Sequence, residues 1–317
     1  MASSFAGSHW AYSTLNQSTR VPTHNPTKRG EPALIENTSD REPVVLTEVV
    51  DRIGTITLNR PDRRNALNGE LIMALDQAVK TMADDPDVKV VILTGAAAEG
   101  AHGGFCAGGD TKDAGAFPGG AAARAASPDV GVPIDALSGD LSRHDRNAAL
   151  LLRLMPKPAI AMVGGPAVGA GCSLAAACDL RFASDDAVFK SGFAAHRLAG
   201  DYGGTLYWTR IIGTARAREF YLLDDQISAA RAFEWGMVNA VVPPDELREH
   251  TWAVAQRLVR TPADLLALVK DNLNQAEDEA ERRRVLFASE AENQALAFKN
   301  LIARLERRRN STATGGD

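Results

Sequence analysis

The chemistry-bearing stretch of this chain is Pro158 to Leu180, PAIAMVGGPAVGAGCSLAAACDL. Its apolar run Ala159 to Val163, bounded by Pro158 and Gly164, has the pattern of a buried strand. Gly164, Gly165, Gly169, Ala170 and Gly171 follow, and then Cys172 to Cys178, an uncharged run rich in Ala and Leu that suits a buried helix. Small side chains let a ligand approach the backbone, and the first amides of a helix have no partner inside it. Those N–H groups and the helix dipole favour an oxygen carrying negative charge. The stretch therefore offers a place to stabilise an oxyanion. The same residues also suit a plain tight turn where a strand packs on a helix.

Strands and helices must hold that turn. Val44 to Val50 and Ile53 to Asn59, rich in Val, Ile and Thr, read as a hairpin around Asp51 and Arg52. Asn68 reads as the N-cap of a helix carrying Leu71, Leu75, Val79 and Met82 on one face and ended by Asp84-Asp85-Pro86. Val88 to Thr94 reads as a second buried strand, so a right-handed parallel crossover is expected. Gly95 to Gly109 is a Gly/Ala-rich loop, and Thr111 to Gly139 is long for a loop inside a compact domain. Leu141 to Met155 returns to helix before the central strand. Arg181 to Ala183 and Ala187 to Phe189 read as short strands around Ser184-Asp185-Asp186. A bend at Ala199 to Gly204 leads into a helix over Thr205 to Ile212. Ser228 caps Ala229 to Trp235, Pro244 to Leu258 is helical, and Thr261-Pro262 opens another helix. Asp278 to Arg309 reads as charged helix whose apolar residues, Leu286, Phe287, Leu296, Phe298 and Leu301, cover a neighbour.

The 317 residues are 45% hydrophobic and 24% charged, an ordinary globular composition. A net charge of −5 with no basic block argues against a nucleic-acid partner. No apolar run is long enough to span a bilayer. Cys106, Cys172 and Cys178 show no CxxC spacing, so neither a disulfide framework nor a metal site is expected. A reducing compartment fits, the cytoplasm in the first instance. Residues 1–43 are rich in Ser, Thr, Asn and Pro and lack an acidic residue before Glu31. They read as a flexible arm; their composition resembles a transit peptide, which leaves a mitochondrial address as the alternative.

Four stretches in order resemble the enoyl-CoA hydratase/isomerase (crotonase) family: RNALN at Arg64 to Asn68, FCAGGD at Phe105 to Asp110, KPAIAMVGGPAVGAGCSLAAACDLRFAS, and ISAARAFEWGMVNAVVP. The resemblance runs from about Val44 to about Leu296. It implies an α/β fold, a crotonase-like spiral of ββα units over 44–243, with a C-terminal helical region over 244–309 and a tail at 310–317. It implies a homotrimer or dimer of trimers, and an acyl-CoA thioester as substrate, with coenzyme A entering as part of that substrate and no separate cofactor. By the same resemblance the amides of Ala107 and Ala170 hold the thioester oxygen. Ala66, Leu67 and Asn68 lie beside the CoA adenine and pantetheine. Gly108, Gly109, Asp110, Gly169, Phe193 and Tyr202 line the substrate, and Arg64 and Lys112 are the candidates for phosphate contacts. Two prepared donors lower the barrier to an enolate by several kcal/mol.

The chain departs from the hydratases of that family at their two glutamates. Ser173 stands at the first position and Phe193 at the second. Ser173 can hold a water but is a poor base without a partner. The carboxylate that remains is Asp201, in Gly200-Asp201-Tyr202-Gly203-Gly204, where relatives acting on phenylacetate-derived and chlorobenzoyl thioesters carry a catalytic Asp. Desolvation by Phe193, Tyr202 and Trp208 raises its pKa, which suits a proton shuttle between two carbons. The competing role is an N-cap of the next helix. His144 and His196 are further acid/base candidates, against the ordinary role of a surface or satisfied core histidine. Cys106 and Cys172 suit buried thiols, and Asp110 suits a helix cap. The aromatics Phe193, Tyr202, Tyr207 and Trp208 suggest a bulky or cyclic acyl group. The reading is isomerisation of an enoyl-CoA or ring substrate with Asp201 as acid/base. The alternatives are hydration, hydrolytic or lyase chemistry through Asp201, and acyl-CoA binding without turnover.

Overall fold

The computed structural model describes residues 42–110, 112, 147–196 and 200–277. Nearly all of the N-terminal arm, most of the Thr111 to Gly139 loop, the first residues of the expected Leu141 helix, His144, and the segment from Asp278 onward lie outside the described residues. The chain divides into two units, Met1–Glu42 and Pro43–Asp317, and the second carries every element below.

β1 (Val45–Val50) and β2 (Ile53–Leu58) pair antiparallel around Asp51 and Arg52, whose φ of 51° and 67° form the left-handed corner a tight hairpin needs. α1 (Gly69–Asp84) starts at Asn68, whose side chain accepts from the Leu71 amide at 3.0 Å. Leu71, Leu75, Val79 and Met82 are buried as their spacing requires, each worth about 1.5–3 kcal/mol when fully covered. β3 (Val90–Gly95), β4 (Ala159–Val163), β6 (Leu180–Ser184) and β9 (Ala240–Val242) extend the sheet in parallel, in the order β1-β2-β3-β4-β6-β9. A second sheet joins β5 (Ala167–Val168), β7 (Val188–Lys190) and β8 (Ile227–Ser228). The strands on either side of Ser184 to Asp186 therefore belong to different sheets.

Alternation along β3 shows how the layers are built. Val91 and Leu93 face one core, with α1, α2 (Ala148–Leu154) and α3 (Ala170–Ala177). Val90 and Ile92 face the other, shared with Ile53, Ile160, Phe182 and Leu247. A sheet covered on both faces explains why its parallel strands are almost wholly apolar.

α4 (Gly204–Leu223) runs well past the expected stop at Ile212, bending at Gly213, where φ is 75° and ψ 162°. α5 (Ala229–Glu234) is capped by Ser228; α6 (Leu247–Val259) and α7 (Ala263–Glu277) follow. Lys270 ties α7 to the core. Its ammonium donates to the carbonyls of Leu152 and Lys157 at 2.8 and 2.9 Å and pairs with Asp179 at 2.8 Å. Among the described residues no helix is long and apolar enough to cross a membrane, and no cluster of His, Cys, Asp or Glu is arranged to hold a metal ion.

Candidate active site

Three of the motif stretches meet just beyond the carboxyl ends of β2, β3 and β4. That is where open α/β sheets place their ligands. Leu67 bridges Gly109 in parallel, donating to the Gly108 carbonyl at 2.7 Å and accepting from the Asp110 amide at 2.9 Å. Cys106 bridges Ala167 in the same way. Ala66, Leu67, the FCAGGD segment and the central turn are thus three neighbouring lines of backbone. The Asp110 side chain accepts from the Lys112 amide at 3.1 Å, the local bond a helix cap makes, while the helix expected after it lies outside the described residues. Its carboxylate pairs with Arg60 at 3.0 Å and Arg63 at 3.1 Å. Burial opposes its ionisation, but the two guanidiniums and the Lys112 amide outweigh that and hold it below the usual carboxylate range. Arg60 also donates to the Ala66 carbonyl, which locks the loop before Asn68. The Arg64 backbone is left-handed, with φ 49°; Lys112 is exposed.

One of the two expected donors is taken. The Ala107 N–H donates to the Arg64 carbonyl at 3.0 Å, so it is already committed. Gly108 turns the chain that follows it. Its φ of 86° breaks the strand alternation. Pairing through Gly108 and Asp110 leaves the Gly109 N–H turned away from Leu67, and no described residue accepts from it. A Cβ on Gly108 would lie 2.7 Å from the Val168 carbonyl oxygen, so this turn presses on the backbone just before Ala170. Ala170 opens α3, and no described residue accepts from its amide either.

Asp201 sits over this arrangement. It is not the N-cap of α4: that place belongs to Gly203, and no side chain caps the helix. The Asp201 carbonyl accepts from the Gly204 amide at 3.0 Å, closing a turn in which Tyr202 (φ 52°) and Gly203 (φ 71°) are both left-handed. The carboxylate keeps one side open to solvent yet is ringed by protein, and that desolvation pushes it up to about 6. No described side chain donates to it. Its charge reaches Cys106, Tyr202 and Tyr221, and the turn it closes packs through Gly204 against Ser173.

The Ser173 hydroxyl faces inward. It is buried and lies 3.4 Å from the Gly169 carbonyl oxygen. A Cβ on Gly204 would meet Ser173 Oγ at 2.1 Å and the Tyr221 hydroxyl at 2.6 Å, so only glycine lets the Asp201 turn pack here. Phe193 is buried and stacks on Tyr221 with ring centroids 6.3 Å apart. Of the other aromatics expected at the substrate, Trp208 is wholly buried in the core against Phe220, and Tyr207 is buried beneath Arg153. Tyr221 is the ring that stacks on Phe193, and the sequence pattern concealed it because the helix carrying it was expected to end at Ile212. The Cys106 and Cys172 thiols are buried, and desolvation pushes both up to about 12. His196 ends a short 3-10 turn, Ala194–His196.

Asp76 on α1 is a further carboxyl that sequence reasoning passed over. Burial pushes it up to about 6 against the Ala148 amide, which donates to it at 2.7 Å, and its charge also reaches Tyr202. It lines a cleft of about 1000 Å³ along α1 and α2. A hollow of about 700 Å³ between α2, α4 and α7 has none of the motif residues on its wall.

The family model described as enoyl-CoA hydratase/isomerase matches residues 48–309. The chain belongs to the enoyl-CoA hydratase/isomerase family. Among relatives of this enoyl-CoA hydratase/isomerase member, a 1,2-epoxyphenylacetyl-CoA isomerase of Escherichia coli (strain K12) is 36% identical over 233 residues, covering 74% of this chain and 82% of the relative. A 4-chlorobenzoyl coenzyme A dehalogenase of an Arthrobacter species is 30% identical over 242 residues, covering 74% and 79%. The crotonase fold recurs in solved structures. An enoyl-CoA hydratase subunit I of Geobacillus kaustophilus superposes with a TM-score of 0.67 at 29% identity, covering 83% of this chain and 95% of that one. A monofunctional enoyl-CoA isomerase of M. smegmatis gives 0.59 at 30% identity, covering 76% and 96%.

Proposed function

We propose that this family member isomerises an enoyl-CoA or a ring-bearing acyl-CoA through a thioester enolate. The observation that carries the reading is Asp201: a carboxylate with no described donor, pushed up to about 6, in a turn that packs through Gly204 against Ser173. Its charged form removes a proton from the carbon α or γ to the thioester. The electron pair moves to the thioester oxygen, where the Gly109 and Ala170 amides receive the charge. Gly109 replaces Ala107 in this role because the Ala107 N–H is already spent. Asp201, now protonated, exchanges with solvent across its open side and delivers a proton to the other carbon. A single donor of this kind is worth about 3–4 kcal/mol in the transition state.

Hydration is disfavoured by what occupies the two positions that, by the resemblance, carry glutamates in hydratases. The Ser173 hydroxyl is turned into the protein, and Phe193 is an apolar ring stacked on Tyr221. Neither activates water. The Phe193–Tyr221 wall supports a flat, cyclic acyl group, as do the relatives whose names specify phenylacetyl and chlorobenzoyl thioesters.

The test is incubation with enoyl-CoAs of differing double-bond position in deuterated water. Deuterium enters the α or γ carbon, and Asp201→Asn slows its entry at least about a hundredfold. Hydrated product that survives Asp201→Asn overturns the reading. An acyl group trapped on Asp201 makes the residue a nucleophile instead, and tight CoA binding without turnover makes the protein a binding module.

A further inference from the structure

Asp224 ends α4 in an arrangement that the proposed chemistry above does not use. It follows the last helical residue with φ 58° and ψ 30°, the left-handed region that favours glycine. A side chain persists there when its contacts over-determine it. The Asp224 Oδ1 accepts from the Ser191 hydroxyl at 2.6 Å and from the Gly192 amide at 2.6 Å. Oδ2 accepts from the Ala195 amide at 3.4 Å and lies 3.9 Å from the Lys190 ammonium. One carboxylate thus gathers residues 190–195 from three backbone or hydroxyl donors and one cation.

Those residues lead directly to the donor. The Lys190 carbonyl accepts from the Gly169 amide at 3.1 Å, and Gly169 precedes Ala170. Gly192, with φ 69°, packs so closely that a Cβ there would lie 2.8 Å from Val168 Cγ1 and 3.3 Å from the Gly169 nitrogen. Phe193 is the next residue, stacked on Tyr221 from the last turn of α4. Burial opposes ionisation of Asp224, but the Ser191 hydroxyl, the Gly192 amide, Lys190 and the Ala195 amide together hold its carboxyl below the usual range. The clamp therefore stays charged wherever the site is active.

We propose that Asp224 is a positioning residue that sets the Ala170 oxyanion donor and the Phe193 wall through the 190–195 segment. This rests on the enolate reading above. Asp224 touches no reacting atom; it acts through Ser191, Gly192 and Gly169.

Three substitutions and two readouts test it. Asp224→Gly removes the carboxylate while suiting the left-handed backbone, so the fold persists. It lowers kcat roughly tenfold or more while KM stays within about threefold, because an ångström of displacement at the reacting centre is that costly. Asp224→Ala behaves alike, with added backbone strain. Asp224→Asn keeps an oxygen for Ser191 and Gly192 and tolerates the same backbone, so it retains most of the activity. The first readout is the carbonyl stretch of a bound saturated acyl-CoA, which the wild type shifts to lower frequency and Asp224→Gly does not. The second is hydrogen exchange of the peptides spanning 169–171 and 190–195, which quickens in Asp224→Gly. If the wild type shows no carbonyl shift, the enolate reading falls, while quickened exchange still upholds the clamp. Unchanged exchange, or wild-type kcat and carbonyl shift in Asp224→Gly, overturns the proposal.

Discussion

Replacing Asp201 by Asn should separate stability from chemistry. Burial lifts this carboxyl from 3.8 to about 6. A tenfold change in proton affinity corresponds to about 1.4 kcal/mol of preference for the neutral form, so a site closed to water would hold about 3 kcal/mol of destabilisation. Asp201 keeps a solvent-facing side, which screens that figure to about 1 kcal/mol. An acid whose folded pKa lies above its unfolded value destabilises the fold when charged. The cost is absent below the unfolded value of 3.8, grows as pH rises through the interval to about 6, and is constant above it. Asparagine is uncharged throughout. Asp201→Asn should therefore gain about 1 kcal/mol at pH 8, a rise of about 2–4 °C in Tm, and much less at pH 4.5. Urea or thermal melts at the two pH values read this directly. In the wild type, the rate of deuterium entry should climb with pH through about 6 and then level, because the charged form is the base. A variant less stable than wild type at pH 8, or a gain equal at both pH values, refutes the desolvation. A rate flat between about pH 5 and 7 refutes the role as base.

Gly204→Ala places a methyl 2.1 Å from Ser173 Oγ and 2.6 Å from the Tyr221 hydroxyl, displacing the Asp201 turn. Turnover should fall tenfold or more, roughly, and recover in a Ser173→Ala, Tyr221→Phe background; equal losses in both backgrounds contradict the packing argument. Lys270→Met strips the partner from Asp179 and the donor from two carbonyls. It should cost about 3–5 kcal/mol in urea denaturation at neutral pH, and a loss under about 1 kcal/mol would show the pair to be dispensable. The thiols of Cys106, Cys172 and Cys178 are buried, and each is pushed up to about 12. None should react with a disulfide reagent at pH 8 until the protein is unfolded, so a thiol titrated in the folded state would contradict their burial.

What could be read from residue types was whatever a local rule decides. Asn68 caps α1 because its oxygen reaches the Leu71 amide, an interaction confined to one turn. The apolar runs of β2, β3 and β4 mark strands covered on both faces. Asp201 stood out as a carboxylate among glycines and aromatics. The direction of an N–H was not legible. Ala107 was chosen by motif, but its amide is paired with Arg64, while that of Gly109, beyond the left-handed Gly108, has no acceptor among the described residues. Tyr207 and Trp208 looked like pocket aromatics by composition, but the face of α4 turned to the core buries both. The continuation of α4 past Gly213 was hidden by the glycine, and with it went Tyr221 and Asp224. Those two residues gain their roles from partners at Ser173 and Ser191, dozens of positions away, which no periodicity records.

Ser173 and Phe193, at the two positions that by the resemblance carry glutamates in hydratases, bear on the proposed chemistry. Adding water across a double bond needs a group to activate the water and a group to place it. Here one of those places is a buried hydroxyl turned to the Gly169 carbonyl, and the other is an apolar ring stacked on Tyr221. Moving a proton between carbons needs neither. It needs one base whose conjugate acid is strong enough to give the proton back, and a carboxyl near 6 meets both demands close to neutral pH. The desolvation that lifts Asp201 makes it a better base than an ordinary surface carboxylate. A second carboxylate in this site would repel Asp201 and bring water in with it. The absence of that charge and the raised value of the remaining one are therefore parts of a single arrangement, and Phe193→Glu should trade proton transfer for hydration rather than add to it. Deuterium entry and hydrated product, measured side by side in that variant, decide the point: both rising together would show the two chemistries to be independent.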